Sequence, residues 1–150
     1  MEHPDPRTWQ AYVDRTYHFR IAYPPYITIK HVSDAERAQL TPVPLAATYF
    51  QDGRNELAAL APPLFSIRIF ANESQQPVAD WLVASGLLNR EAGWIAEPFT
   101  GANVSGVKVV SPTLMAPGWF LYVRHKGFVF QLTPLGEDAD RMLSTFALTQ

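Results

Sequence analysis

The chain has 150 residues, 47% of them hydrophobic and 17% charged, with a net charge of −2; this is the make-up of one globular domain with a core of its own, not of a disordered polypeptide. A slightly acidic balance supplies no basic stripe for phosphates, which sets nucleic acid aside as the main partner. The absence of cysteine removes disulfides, thiolate metal sites and thiol catalysis.

No apolar run reaches the ~20 residues of a membrane span. The opening MEHPDPRTW lacks the basic and apolar regions of a signal peptide. A cytosolic protein, or the mature part of an exported one whose leader has been removed, is expected.

Taken in order, residues 1–8 are polar, hold two prolines and read as a flexible N-terminal arm to a domain spanning 1–150. Residues 9–13 offer a short strand or turn. Residues 17–23 place Phe19, Ile21 and Tyr23 on one face and His18, Arg20 and Ala22 on the other, the period of a half-buried strand. Pro24 and Pro25 end it, and 26–30 resumes as a second strand. Residues 33–40 predict a short helix with Ser33 as its cap and Glu36 at the capping-box position, broken by 41–44.

A strand follows at 47–51, closed by the turn signal Asp52–Gly53. Residues 55–63 are open between loop and one helical turn. FSIRIFA at 65–71 alternates as a strand. Ser74 is placed to cap a helix running to Ser85, with Gly86 at its C-terminus and Val78, Trp81 and Leu82 on one face. Two strands at 94–99 and 104–110 are joined through 101–103, and a hairpin pairs 118–124 with 128–133. Residues 139–148 read as an amphipathic helix with Glu137 and Asp138 at its positive end, and Ala139, Met142, Leu143 and Phe146 in its apolar stripe. Strands in hairpin-like groups with few helices indicate an α+β fold. The expected architecture is one twisted, mainly antiparallel sheet of six or seven strands, packed by two or three helices that include those of Trp81 and Phe146.

Candidate chemistry is sparse. GANVSGVK at 101–108 approaches a phosphate-binding loop, but Lys108 comes one position late and a strand follows where a helix N-terminus is needed; Gly106 reads better as a strand bulge. His3, His18, His31 and His125 do not form a helical metal pair, although His3 and Asp5 could trap an adventitious ion. No G-x-S-x-G elbow surrounds a serine, and the carboxylate pairs Asp34/Glu36 and Asp138/Asp140 sit at helix starts, where capping accounts for them. Two short glycosylation sequons, at Asn72 and Asn103, matter only in a eukaryotic secretory setting. No catalytic residue, cofactor or metal is therefore expected. The second face of the sheet is the candidate site: alternation sends Arg20, Arg68, Tyr122 and Arg124 away from the apolar set, and Arg and Tyr are residue types enriched at binding hot spots.

The order of elements resembles the PsbP-like domains. WQAYVDRTYHFRIAYPPYITI, the middle FSIRIFAN followed by a helix with Asp80, Trp81 and Leu82, the Val104–Ser105–Gly106 approach to a strand, the hairpin FLYVRHKGFVFQL and the closing MLSTF carry the resemblance. It implies the α/β/α sandwich shared by the extrinsic photosystem II subunit PsbP, Mog-type Ran-binding proteins and many small bacterial lipoprotein-like extracytoplasmic domains. It further implies a non-catalytic accessory domain that binds another protein, outside the cytoplasm by preference. The alternatives are an intracellular adaptor, a secretion-chaperone-like protein, or a small-molecule binder or weak hydrolase with a pocket between sheet and helix, where His18 or His125 would meet a carboxylate. Monomer and dimer are both open.

Overall fold

A computed structural model describes residues 6–57, 60–101, 103–112 and 119–149. His3 and Asp5, like most of the expected arm, lie outside them; Pro6–Thr8 form a single 3-10 turn. Among these residues, ten strands build two antiparallel sheets. The smaller joins β1 (Gln10–Asp14), β2 (Phe19–Tyr23) and β10 (Ala147–Leu148) in the order β1-β2-β10. The larger contains β3 (Ile27–His31), β4 (Ala46–Asp52), β5 (Phe65–Ala71), β6 (Ile95–Thr100), β7 (Ser105–Val110), β8 (Trp119–His125) and β9 (Phe128–Pro134), in the order β3-β4-β5-β9-β8-β7-β6. Helices α1 (Asp34–Arg37), α2 (Val78–Ala84) and α3 (Ala139–Thr145) complete the α+β fold.

Alternation on the central strands assigns the layers. Phe65, Ile67 and Ile69 of β5 share a face with Phe130 and Leu132 of β9 and with Leu121 and Val123 of β8, and all are buried. The small sheet and α3 close over this face. Phe19 of β2 lies 5.6 Å from Phe130 and 5.7 Å from Phe146 between ring centroids, and Met142 is buried beside them. On the opposite face, α2 sets Trp81 and Leu82 against Phe70, Val109, Tyr122 and Val129. Trp81 Nε1 donates to the Ala71 carbonyl at 3.1 Å, so the indole is both packed and hydrogen-bonded.

The helix ends follow the local chemistry. Ser33 caps α1, its hydroxyl accepting from the Glu36 amide at 3.3 Å and donating to the Glu36 carboxylate at 3.1 Å. At the end of α2, Gly86 takes φ 76°, its amide bonds the Val83 carbonyl and the Leu87 amide bonds that of Leu82, a Schellman closure.

Four expectations are corrected. Ser74 does not cap α2, because the residue before Pro77 is steered away from helical dihedrals; Pro77 takes the N-cap position, and the carboxamide of Asn72 closes the loop on the amide and carbonyl of Gln76. The last helix stops at Thr145, since Ala147 and Leu148 turn extended and pair with Arg20 and Phe19 on the free edge of β2. Beside the seven-stranded layer there is thus a second, three-stranded one. Finally, Gly106 is in regular register opposite Phe99; a Cβ there would overlap the Tyr122 carbonyl and come within 3.1 Å of Val123, so close strand approach, not a bulge, calls for glycine.

Candidate functional site

The structure distributes the four sequence-predicted site residues over three environments. Arg20 is exposed on β2 between the inward-facing Phe19 and Ile21. It therefore looks out from the small sheet, on the opposite side of the molecule from the α2 face, and lines a shallow cleft with Ala11, Ala22, Asn103 and Thr145. Arg124 shares the α2 face, but its guanidinium is occupied: Nη1 donates to the Gln75 carbonyl at 2.7 Å and fastens the loop that leads into α2. Arg68 and Tyr122 are brought together. They lie in one cross-strand row, Arg68 opposite Gln131 and Gln131 opposite Tyr122.

On the α2 face, Phe70 of β5, Val129 of β9, Tyr122 of β8 and Val109 of β7 form the apolar floor of α2. The same face also carries the polar set Lys30, Tyr49, Ser66 and Arg68, continued on β9 by Gln131 and Thr133. Ser66, Gln131 and Thr133 are buried, and Lys30, Tyr49 and Arg68 are half-buried. A polar group so placed needs a partner.

The partners are incomplete in one consistent way. Arg68 Nη2 donates to the Tyr49 hydroxyl at 3.0 Å, with its carbon 5.8 Å from the ring centroid. Arg68 Nε is sealed from solvent without any partner among the described residues. Gln131 Nε2 donates to the Tyr122 hydroxyl at 2.7 Å. Burial pushes the Tyr122 phenol up to about 12, against the opposing pull of the Gln131 donor and the Arg68 charge, so the ring stays neutral at ordinary pH. Among the described residues no carboxylate lies within 4.0 Å of Arg68. Lys30, on the same face, is already paired with Glu36 at 2.9 Å.

Two residues of structural weight leave little mark on the sequence. Arg54 grips Asp52 through Nε and Nη2, each at 2.9 Å, reaches Glu137 at 2.9 Å, and stacks 3.7 Å above the Tyr26 ring. Tyr26 in turn donates to the buried Asp138 carboxylate at 2.7 Å; burial, then that hydrogen bond, raise its phenol pKa strongly. The knot ties the β4–β5 connection to the start of α3. The turn Asp52–Gly53–Arg54 is its only trace in the sequence, and nothing in it points 83 residues onward to Glu137.

The pocket expected between sheet and helix has a counterpart between α3 and the β6–β7 hairpin, a cleft of about 140 Å³ lined by Phe99, Gly101, Val104, Asp140, Leu143 and Ser144. It holds a carboxylate without His18 or His125. Those two histidines instead flank the C-terminal segment: the His18 carbonyl accepts from the Thr149 amide at 2.7 Å, and His125 Nε2 lies 3.2 Å from the Thr149 carbonyl. Among the described residues no His, Asp and Glu side groups gather in threes that could hold a metal, and no helix is long and apolar enough to cross a membrane.

A seven-stranded antiparallel sheet with a helix on one face and a small sheet plus helix on the other defines a PsbP-like α+β fold. The protein is similar to the solution structure of cyanobacterial PsbP (CyanoP) from Synechocystis sp. PCC 6803, with a TM-score of 0.52 over 93% of this chain and 92% of that one, at 13% identity. At that identity the likeness is one of fold. Neither a family model nor a curated protein matches the sequence.

Proposed function

We propose that this protein is a non-catalytic accessory domain that works by binding another protein, and that it does so on the polar half of the α2 face, around Arg68. One observation supports the site above the others: a half-buried arginine in the middle of a sheet, surrounded by hydroxyl groups, has no carboxylate among the described residues to answer its charge. Charged groups so withdrawn from water are ordinarily paired, and a protein partner can supply the pair at the moment of contact. The PsbP-like fold agrees with an accessory role. An extracytoplasmic location is the preferred setting, and an intracellular adaptor in the manner of the Mog-type Ran-binding proteins is its rival.

Cross-linking the purified wild-type protein in lysate and in extracytoplasmic extract of its source, followed by mass spectrometry, tests this reading. A discrete partner recovered with wild type and lost with Arg68→Glu is expected. Identical capture by a folded Arg68→Glu variant would place the contact elsewhere.

A further inference from the structure

Resting on that reading, we infer that the Arg68 cluster is a carboxylate-binding site, which takes an Asp or Glu side group or the C-terminal carboxylate of the partner. The cluster is made of donors in excess of acceptors. Arg68 has five N–H groups; one reaches the Tyr49 oxygen, and Nε is sealed and unpartnered. Nη1 makes no bond among the described residues and is not among the sealed atoms, so it is reachable from outside. Tyr49 spends its oxygen on Arg68 and Tyr122 spends its own on Gln131, which leaves both hydroxyl hydrogens without an acceptor among the described residues. Spare donors converging on a partly dry floor call for an oxygen-rich anion.

Charge decides which anion. With Lys30 paired to Glu36 and Arg124 turned away to the Gln75 carbonyl of the loop before α2, the cluster itself carries the one positive charge of Arg68. A monoanion balances it; a phosphate dianion would leave negative charge half-buried and uncompensated. A planar guanidinium presents its N–H groups as a fork that suits the two oxygens of a carboxylate, and Arg68 has donors left over on Nη1 and Nη2. Tyr49, fixed in the neighbouring β4, adds a third donor from the side. The strand register holds Arg68, Gln131 and Tyr122 in one row before any ligand arrives, so little ordering is left to be done on binding.

The test uses the full-length protein labelled with nitrogen-15 and two probes, N-acetylaspartic acid amide and N-acetylalanine, with inorganic phosphate as the competing anion. Saturable shifts of the Arg68 Nε–H and Gln131 carboxamide signals are expected with at least one carboxylate probe. Arg68→Lys, which keeps the charge but not the fork, weakens binding on the order of tenfold, and Tyr49→Phe weakens it by less. Backbone spectra identify any variant that has lost its fold, and the wild-type titration stands without the variants. Unmoved Arg68 and Gln131 signals, tighter binding of phosphate, or equal affinity in Arg68→Lys would overturn the inference. Because the probes are small molecules, carboxylate binding without any captured partner defeats the functional reading alone, whereas a partner captured independently of acidic groups defeats this one alone.

Discussion

Replacing Phe19 by alanine tests the two-layer architecture directly. Phe19 is fully buried and touches three other rings, with centroids 5.7 Å away at Tyr12, 5.6 Å at Phe130 and 5.7 Å at Phe146. Deleting a core phenylalanine costs about 3–5 kcal/mol. The upper half of that range is expected, because strand β2 has no backbone ladder to the large sheet and is held on it by side groups alone. Set against a total stability of about 5–15 kcal/mol, this is a large share. At about 2–4 °C per kcal/mol for a protein of this size, the melting temperature falls by roughly 8–20 °C. Urea denaturation followed by circular dichroism measures it, with Val13→Ala on the neighbouring strand as the control; Val13 is 53% exposed, so its loss stays within about 0.5 kcal/mol. A Phe19→Ala loss no larger than that of Val13→Ala would mean that the small sheet does not pack on Phe130 and Phe146.

Two further expectations follow from the large sheet. Gly106→Ala presses a methyl group into the Tyr122 backbone; no side-group rotation relieves that, so strands β7 and β8 must part and stability drops by at least about 2 kcal/mol, an outcome that a wild-type melting curve would contradict. Tyr122, with its folded pKa raised to about 12 from an ordinary value of 10.0, stabilises the fold fully below pH 10 and loses that contribution as pH climbs from 10 to 12, in total about 2–3 kcal/mol. Tyr122→Phe should flatten the alkaline fall in melting temperature, in part only, because Tyr12 and Tyr26 are raised in the same direction. An alkaline limb of unchanged slope would refute the assignment.

Short-range signals are legible in the sequence. The alternation of FSIRIFA returns as β5 without a shift of either end, the Ser33–Glu36 box returns as the cap of α1, and Gly86 closes α2. What stays hidden depends on tertiary context. Ala147 and Leu148 continue a helical stripe in pattern, but the unpaired edge of β2 offers them backbone hydrogen bonds that outweigh a final helical turn. Arg20, Arg68 and Arg124 look alike as outward residues of alternating strands. Only the stacking of two sheets sends Arg20 to the far side, and only the loop before α2 occupies Arg124. Tyr122 reads as surface because alternation gives the face of a residue without saying what covers that face; α2 and its neighbours do cover it, leaving the ring 1% exposed.

The position of the donor cluster follows from a mismatch of sizes. Seven strands at about 4.8 Å spacing make a sheet about 29 Å wide, whereas a seven-residue α2, at about 1.5 Å per residue, is only about 10 Å long. One helix of that length cannot roof the whole face. The inner face has no such shortage, because the small sheet and α3 together cover it, and its central strands bury Phe65, Ile67, Ile69, Phe130, Leu132, Leu121 and Val123 there. On the α2 face the apolar set of α2 and the Leu87–Leu88 segment that follows it leaves part of β5 and β9 to polar residues in the interior of a sheet, where each needs a partner. Hydroxyl and amide groups meet that need by pairing with one another, as Gln131 and Tyr122 do. An arginine does not: it brings a charge that neutral neighbours can solvate but not cancel. A lone Arg68 among hydroxyls is thus a poor solution for an isolated fold and a good one for a surface that spends part of its life against a carboxylate.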